Sequence, residues 1–301
     1  MKIETVTSGQ NPKIKELLAL QEKSKARREK GLFVVEGRRE IGHCLDSGYK
    51  VRTLFVCREI IAEKELDGLL EKACRCGKNG PGRTHEADSL IDRQYLEGRE
   101  TADRRDYAAP NIIEVPAALY NKIAYRGGTE GIIAEVEYKD RRLEDLILNE
   151  APLVVVLESV EKPGNLGAVL RSADAAGADA VIVCDPLTDL YNPNLIRSSI
   201  GAVFSRQVAV ASSQDTIRWL KSKGIKIYTA QLQDSGWYYD TDMSKGTAIV
   251  MGTESTGLTD IWRNAADAHI RIPMLGQLDS LNVSVSAAIL LYEAVRQRNA
   301  L

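Results

Sequence analysis

Between residues 151 and 299, short apolar runs alternate with helical stretches so regularly that few folds can absorb the pattern. Leu153–Leu157, Ala180–Cys184, Ile225–Ala230, Ala248–Met251 and His269–Ile272 read as strands. Gly167–Ala176, Pro193–Val203, Asp215–Lys223, Asp260–Ala265 and Val283–Gln297 read as helices. Leu153–Leu157, Ala180–Cys184 and Ala248–Met251 are apolar along their length, which marks strands buried on both faces. Strand–helix alternation of this kind predicts a mostly parallel sheet covered by helices on both sides.

The first half is also α/β, but smaller and less regular. Asn11-Pro12 can cap and open a helix whose face is Ile14, Leu17, Leu18 and Leu20. Gly31 ends the helical pattern, and Leu32–Val35, Val51–Cys57, Ile112–Val115 and Ile132–Tyr138 read as strands, with helices from Gly37 and over Ile60–Cys74. Gly77–Arg83 is a loop by composition. Arg141–Glu150 is a short amphipathic stretch, and the boundary falls there, giving domains of 1–145 and 146–301.

Composition narrows the function classes. No apolar run approaches the length of about 20 residues that spans a bilayer, and the opening MKIETVTSGQNPKIKE lacks a signal-peptide core, so a cytoplasmic protein is expected. The five cysteines are odd in number and scattered, and Cys74 and Cys76 have no second pair. Free thiols and no metal centre follow. Net charge is only −2, yet Lys13–Arg39 concentrates nine Lys and Arg against four Glu. Such a segment can attract phosphate. It can equally be a solvated helix face, with Lys25 and Glu29 at i,i+4 spacing.

Four polar corners stand at strand ends or helix starts in the second half. In Glu158–Asp174 (ESVEKPGNLGAVLRSAD), Asn165 is placed to cap a helix carrying Arg171. Asn192–Ala202 (NPNLIRSSIGA) starts a helix with Arg197 and lets it pack closely at Gly201. Ile249–Leu258 (IVMGTESTGL) runs from a strand into a Gly252-Thr253-Glu254 turn, and Ile272–Ala288 enters the corner Ser280-Leu281-Asn282. There is no G-K-[ST] phosphate loop and no G-x-G-x-x-G fingerprint, which weakens a nicotinamide-enzyme reading. Each corner alone could be architecture. Four in one domain point to a ligand at the carboxyl ends of the strands.

These four segments resemble the ordered motifs of the SpoU/TrmH family (SPOUT superfamily) of RNA ribose 2′-O-methyltransferases, over roughly residues 151–299. Asn11-Pro12-Lys13 and Gly31–Ile41 are similar to the substrate-binding domain that precedes the catalytic domain in many members. The resemblance implies a trefoil-knotted methyltransferase domain behind a smaller, L30e-like RNA-binding domain, and a homodimer formed through the knotted domain. It implies S-adenosylmethionine as cofactor, lined by Gly252, Ile272 and Leu281, with the main chain near Ala230 a weaker candidate. It assigns the chemistry to Asn165, Arg171, Glu254, Ser280 and Asn282. Ribosomal RNA is the favoured substrate by the two-domain layout. The alternatives are transfer RNA, or an inactive RNA-binding or assembly protein, against which the retention of all five residues argues. One departure is visible: many members have Asp-Pro just before the motif Asn, whereas here the chain reads Lys162-Pro163-Gly164. A lysine there is placed to touch RNA phosphate.

Overall fold

The computed structural model describes residues 3–75, 109–125, 130–139, 141–205, 207–253, 256–278 and 280–299. The expected Gly77–Arg83 loop lies outside them. The described chain forms two compact units: 1–140 with 191–204, and 141–190 with 205–301.

In the first unit, Pro12 opens α1 (Pro12–Glu22) and the Asn11 side chain accepts a hydrogen bond from the Lys13 N–H at 2.9 Å. Helix α2 (Ser24–Lys30) ends on Gly31 at φ 61°, the left-handed conformation that glycine adopts without a Cβ penalty. Five strands follow: β1 (Ile3–Thr5), β2 (Leu32–Glu36), β3 (Val51–Val56), β4 (Asn111–Glu114) and β5 (Ile132–Glu137), in the order β1-β4-β3-β5-β2. The β1/β4 and β4/β3 pairs are parallel, while β5 is antiparallel to β3 and β2. Helices α3 (Arg38–Asp46), α4 (Glu63–Arg75) and α5 (Ala117–Ile123) complete this part. Side chains alternate across the sheet: Val34 joins the core with Ile14, Leu17, Tyr120 and Ile123, whereas Phe33 stacks on Tyr191 at 4.1 Å and lies 5.8 Å from Phe204. The segment Tyr191–Phe204 is therefore pinned by aromatic contacts. Its helix α7 (Pro193–Ser198) is shorter than Pro193–Val203, because Ile200 and Gly201 turn to φ 52° and 82° before a 3-10 turn at Ala202–Phe204. Gly201 packs on His43, whose Cβ lies 3.1 Å from the position a Cβ on Gly201 would take.

Glu135 is buried in β5 of this unit. Desolvation pushes its carboxyl from an ordinary 4.5 up to about 7, against a lowering hydrogen bond from Thr53. The folded state therefore keeps a proton that the unfolded chain releases as pH rises from 4.5 to about 7. Stability falls across that window by up to about 3 kcal/mol and is level above it. Glu135→Gln, which cannot titrate, should flatten this slope; urea denaturation at a series of pH values measures it.

The second unit holds seven strands, all paired in parallel: β6 (Leu153–Glu158), β7 (Ala180–Cys184), β8 (Val208–Ala211), β9 (Lys226–Ala230), β10 (Gly236–Trp237), β11 (Thr247–Met251) and β12 (Ala268–Arg271). Their order is β10-β12-β9-β11-β6-β7-β8. The expected parallel sheet is present; β1, β8 and β10 are additional to the strands read from sequence. On one face Val156, Ile182, Ile227 and Val250 pack with Ile217 and Leu220 of α8 (Ser213–Ser222) and Trp262 of α9 (Asp260–Ala265). Elsewhere in the unit α6 (Pro163–Ala175) packs against α10 (Val283–Asn299). Arg298 anchors the end of α10 by donating to the carbonyls of Met243 (3.0 Å), Lys245 (2.7 Å), Ala151 (2.5 Å) and Pro152 (3.2 Å). Because all strands run one way, Glu158, Ala230, Met251 and Arg271 end at the same edge, and the chain leaves them there for the segments read as motifs.

Candidate active site

Strand β6 delivers the chain to α6, which begins earlier than its sequence suggests. Pro163 occupies the first turn, where its missing N–H costs nothing, and Lys162 is the N-cap, its carbonyl accepting from the Leu166 N–H at 3.1 Å. Asn165 is thus inside the first turn and is not the cap. Its side chain instead meets Asn282: the Asn282 Nδ2 donates to Asn165 Oδ1 at 3.1 Å across 117 residues. The direction of that bond is set at α10, where Asn282 Oδ1 accepts from the Ser284 N–H (2.9 Å) and the Ser284 hydroxyl (2.6 Å). A backbone N–H can only donate, so the Asn282 amide must face Asn165 with its NH2. Asn165 accepts with its oxygen and turns its own Nδ2 away from Asn282.

Arg171 lies further along α6, exposed, and no described residue gives it a hydrogen bond or ion pair. Ser280 is exposed just before Asn282, and Leu281 between them is 38% exposed. Glu254 lies outside the described residues.

Gly252 follows β11 at a very close backbone approach. Thr253 and Gly257 exchange two backbone hydrogen bonds (3.2 and 3.1 Å), closing the two ends of a tight hairpin on each other. A Cβ on Gly252 would sit 2.2 Å from the Gly257 carbonyl oxygen and 2.6 Å from the Leu258 nitrogen. The glycine is therefore required by the chain's own backbone, a reason different from the expected close approach of cofactor.

A cavity of about 380 Å³, within the range of small-molecule sites, opens beyond β12. Ile272 lines it with Leu232, Met274 and Leu278, and Arg271 stacks on Trp237 at 4.3 Å from the ring centre. Gly252 and Leu281 do not line this cavity. Leu232, Ile272, Met274 and Leu278 give a nucleoside base apolar surface to pack on, and Arg271 and Gln277 add polar groups beside it, so the residues present fit an adenosyl cofactor. Among the described residues no three His, Cys, Asp or Glu side chains converge as a metal site, and no helix is long and apolar enough to cross a membrane.

Sequence reading passed over Glu158. It is 3% exposed, the last residue of β6, and both its oxygens are used on Thr259, which follows the hairpin. The available signal was a carboxylate closing an otherwise apolar run.

Residues 152–292 match the SpoU rRNA Methylase family, and residues 11–78 match an MRM3-like substrate binding domain. A 23S rRNA (guanosine-2′-O-)-methyltransferase, RlmB of Salmonella typhi, is 40% identical over 56% of this chain and 72% of its own length. The chain belongs to the SpoU rRNA methylase family. A second relative, the 23S rRNA (uridine(2479)-2′-O)-methyltransferase of Streptomyces viridochromogenes, is 29% identical over 97% of this chain and 92% of that one. The AdoMet-bound rRNA methyltransferase of Sinorhizobium meliloti superposes with a TM-score of 0.79 at 29% identity, covering 98% of each chain. Within the SpoU region, then, two of the five residues assigned to chemistry, Asn165 and Asn282, touch directly.

Proposed function

We propose that this protein is an S-adenosylmethionine-dependent methyltransferase acting on a ribose 2′-hydroxyl of ribosomal RNA of the 23S type. The observation that carries the reading is the Asn165–Asn282 hydrogen bond, which brings two motif residues 117 positions apart to 3.1 Å. The relatives named for 23S rRNA and the AdoMet-bound neighbour support the substrate and the cofactor.

The cofactor supplies a methyl group on a sulfonium centre whose positive charge is lost on transfer. What remains for the protein is positioning of the ribose and management of the hydroxyl proton. Asn165 positions the ribose, with Asn282 holding its orientation and Ser280 beside it. Arg171 stabilises alkoxide charge as it develops and clamps the neighbouring phosphate, because a guanidinium does not give up its proton in a protein. Glu254 orients Arg171 or its neighbours. Ile272 supplies an apolar wall for adenine, and Gly252 and Leu281 shape the loops around it.

Asn282→Asp separates orientation from capping. Aspartate caps a helix as well as asparagine does, so stability should hold within about 0.5 kcal/mol. Two acceptors would then face each other at Asn165, and kcat should fall more than about tenfold. Thermal unfolding and single-turnover methylation measure the two effects.

Residues 1–145 bind the RNA and 146–301 catalyse. Lys15, Lys23, Arg28 and Arg39 support the first assignment: all are exposed, and none has an ion-pair partner among the described residues. Arg27, by contrast, is buried and donates to the Leu20 carbonyl at 2.7 Å, so it belongs to the fold. The chain acts in the cytoplasm as a homodimer through the catalytic domain, with the segment from β12 to α10 threaded as a trefoil knot. The strand order supports the threading, since the chain must return from β12, beyond β9, to the α6 side. Val285 and Tyr292, 47% and 51% exposed on α10, support a partner on that helix. Light scattering should give twice the chain mass; the mass of one chain would remove the dimer.

Methyl transfer from tritiated S-adenosylmethionine to RNA from a strain lacking the enzyme, separated by size, tests the substrate. Label in large ribosomal RNA is expected, whereas label in the transfer RNA fraction would move the target.

A further inference from the structure

Glu158 closes β6, and the loop after it leads to α6 with Asn165 and Arg171. Thr259 closes the other segment of interest, the hairpin that follows Gly252. The two residues are joined twice: the Thr259 backbone N–H donates to Glu158 Oε2 at 2.9 Å, and the Thr259 hydroxyl donates to Oε1 at 2.6 Å. Glu158 is 3% exposed, so these bonds have little competition from water.

The surrounding protons fix the arrangement further. The Ser213 hydroxyl donates to Asp185 Oδ2 (2.7 Å), as does the Ser213 N–H (3.0 Å), and Ser213 Oγ accepts from the Trp262 indole N–H (2.9 Å). Its one proton is spent on Asp185, so at 3.5 Å it supplies none to Glu158. The carboxylate therefore depends on Thr259. Trp262 lies in α9, which Thr259 precedes, so the same cluster seats both the start of that helix and the hairpin before it. Ser159 and Asp185, next to the ends of β6 and β7, adopt φ of 52° and 46° without being glycine. Such strain persists where surrounding contacts hold the backbone in place.

We infer that Glu158 is a positioning residue, a staple that fixes the hairpin following Gly252 relative to the helix carrying Asn165 and Arg171. The inference rests on the methyltransferase reading for what the staple serves, but the staple itself is testable without it. Glu158 and Thr259 act through the backbone they hold, not through the chemistry assigned to Asn165, Arg171, Ser280 and Asn282.

The test compares Glu158→Ala, Glu158→Gln and Thr259→Val in the full chain by hydrogen exchange, thermal unfolding and equilibrium binding of S-adenosylmethionine. Glutamine can accept the Thr259 N–H with its oxygen and donate its NH2 to the threonine hydroxyl, which rotates to receive it. Glu158→Gln should therefore keep hairpin protection and bind cofactor within about threefold of wild type. Glu158→Ala should lose protection of the Thr253, Gly257 and Thr259 amides and bind about tenfold more weakly or worse. Thr259→Val, which keeps the N–H bond, should fall between them and serves if the alanine variant does not fold. Unchanged hairpin protection in Glu158→Ala, or equal damage from glutamine, would overturn the staple. If wild type neither binds S-adenosylmethionine nor methylates RNA, the functional reading fails, and the exchange data still decide the staple.

Discussion

Arg171→Ala is expected to lower methyl transfer about a thousandfold, the scale on which a developing oxyanion loses its main electrostatic partner. The loss should fall on kcat. Arg171 is exposed and has no described hydrogen-bond or ion-pair partner, so removing it should change stability by no more than about 0.5 kcal/mol. Binding of S-adenosylmethionine should be retained, and equilibrium dialysis beside single-turnover kinetics separates the two. Arg171→Lys then distinguishes clamp from base. A lysine keeps the charge but loses the planar fork that grips phosphate and oxyanion together. The clamp predicts deficiency at every pH. Near-wild-type activity with a pH optimum moved toward the lysine range would mean that residue 171 removes the proton.

The second large effect is at Gly252. A methyl group there would meet the Gly257 carbonyl at 2.2 Å, and the obstacle is backbone held by two hydrogen bonds rather than a yielding side chain. Gly252→Ala should destabilise the protein by about 3 kcal/mol or open the hairpin, and in either case abolish cofactor binding. Gly257→Ala provides the contrast. It has nothing within 4 Å of a new Cβ, and only its φ of 67° resists, at about 1 kcal/mol. Denaturant midpoints and cofactor dissociation constants for both variants check the pair. A normal midpoint and normal binding in Gly252→Ala would show that the hairpin is not closed as described.

Much of the parallel sheet was legible because β6, β7 and most of β11 are continuous apolar runs with helical patterns between them. Strand β8 was not: Val208–Ala211 is four residues long, too short to stand out after the segment read as helix up to Val203. Strand β10 has two residues, too few for any period to show, and β1 is recognisable only through its pairing with β4 more than a hundred residues later. At α6, Pro163-Gly164-Asn165 reads equally well as a turn ending in a cap or as a proline-led first turn. The second is what forms, and it releases Asn165 for Asn282. No local pattern could join those two residues; only the resemblance to a family put them in one site. Glu158 illustrates the opposite gap, since its partner Thr259 lies 101 residues away and nothing local in the sequence joins the two.

The most direct test of the account is the chemical position of the transferred methyl group. RNA labelled by this protein with tritiated S-adenosylmethionine would be hydrolysed in alkali, which cleaves only next to an unblocked 2′-hydroxyl. Ribose 2′-O-methylation predicts label in alkali-resistant dinucleotides, and on enzymatic digestion in a 2′-O-methyl nucleoside. Label released in mononucleotides would place the methyl on a base, and no label with ribosomal RNA from a strain lacking the enzyme would contradict the assignment of methyl transfer to this chain.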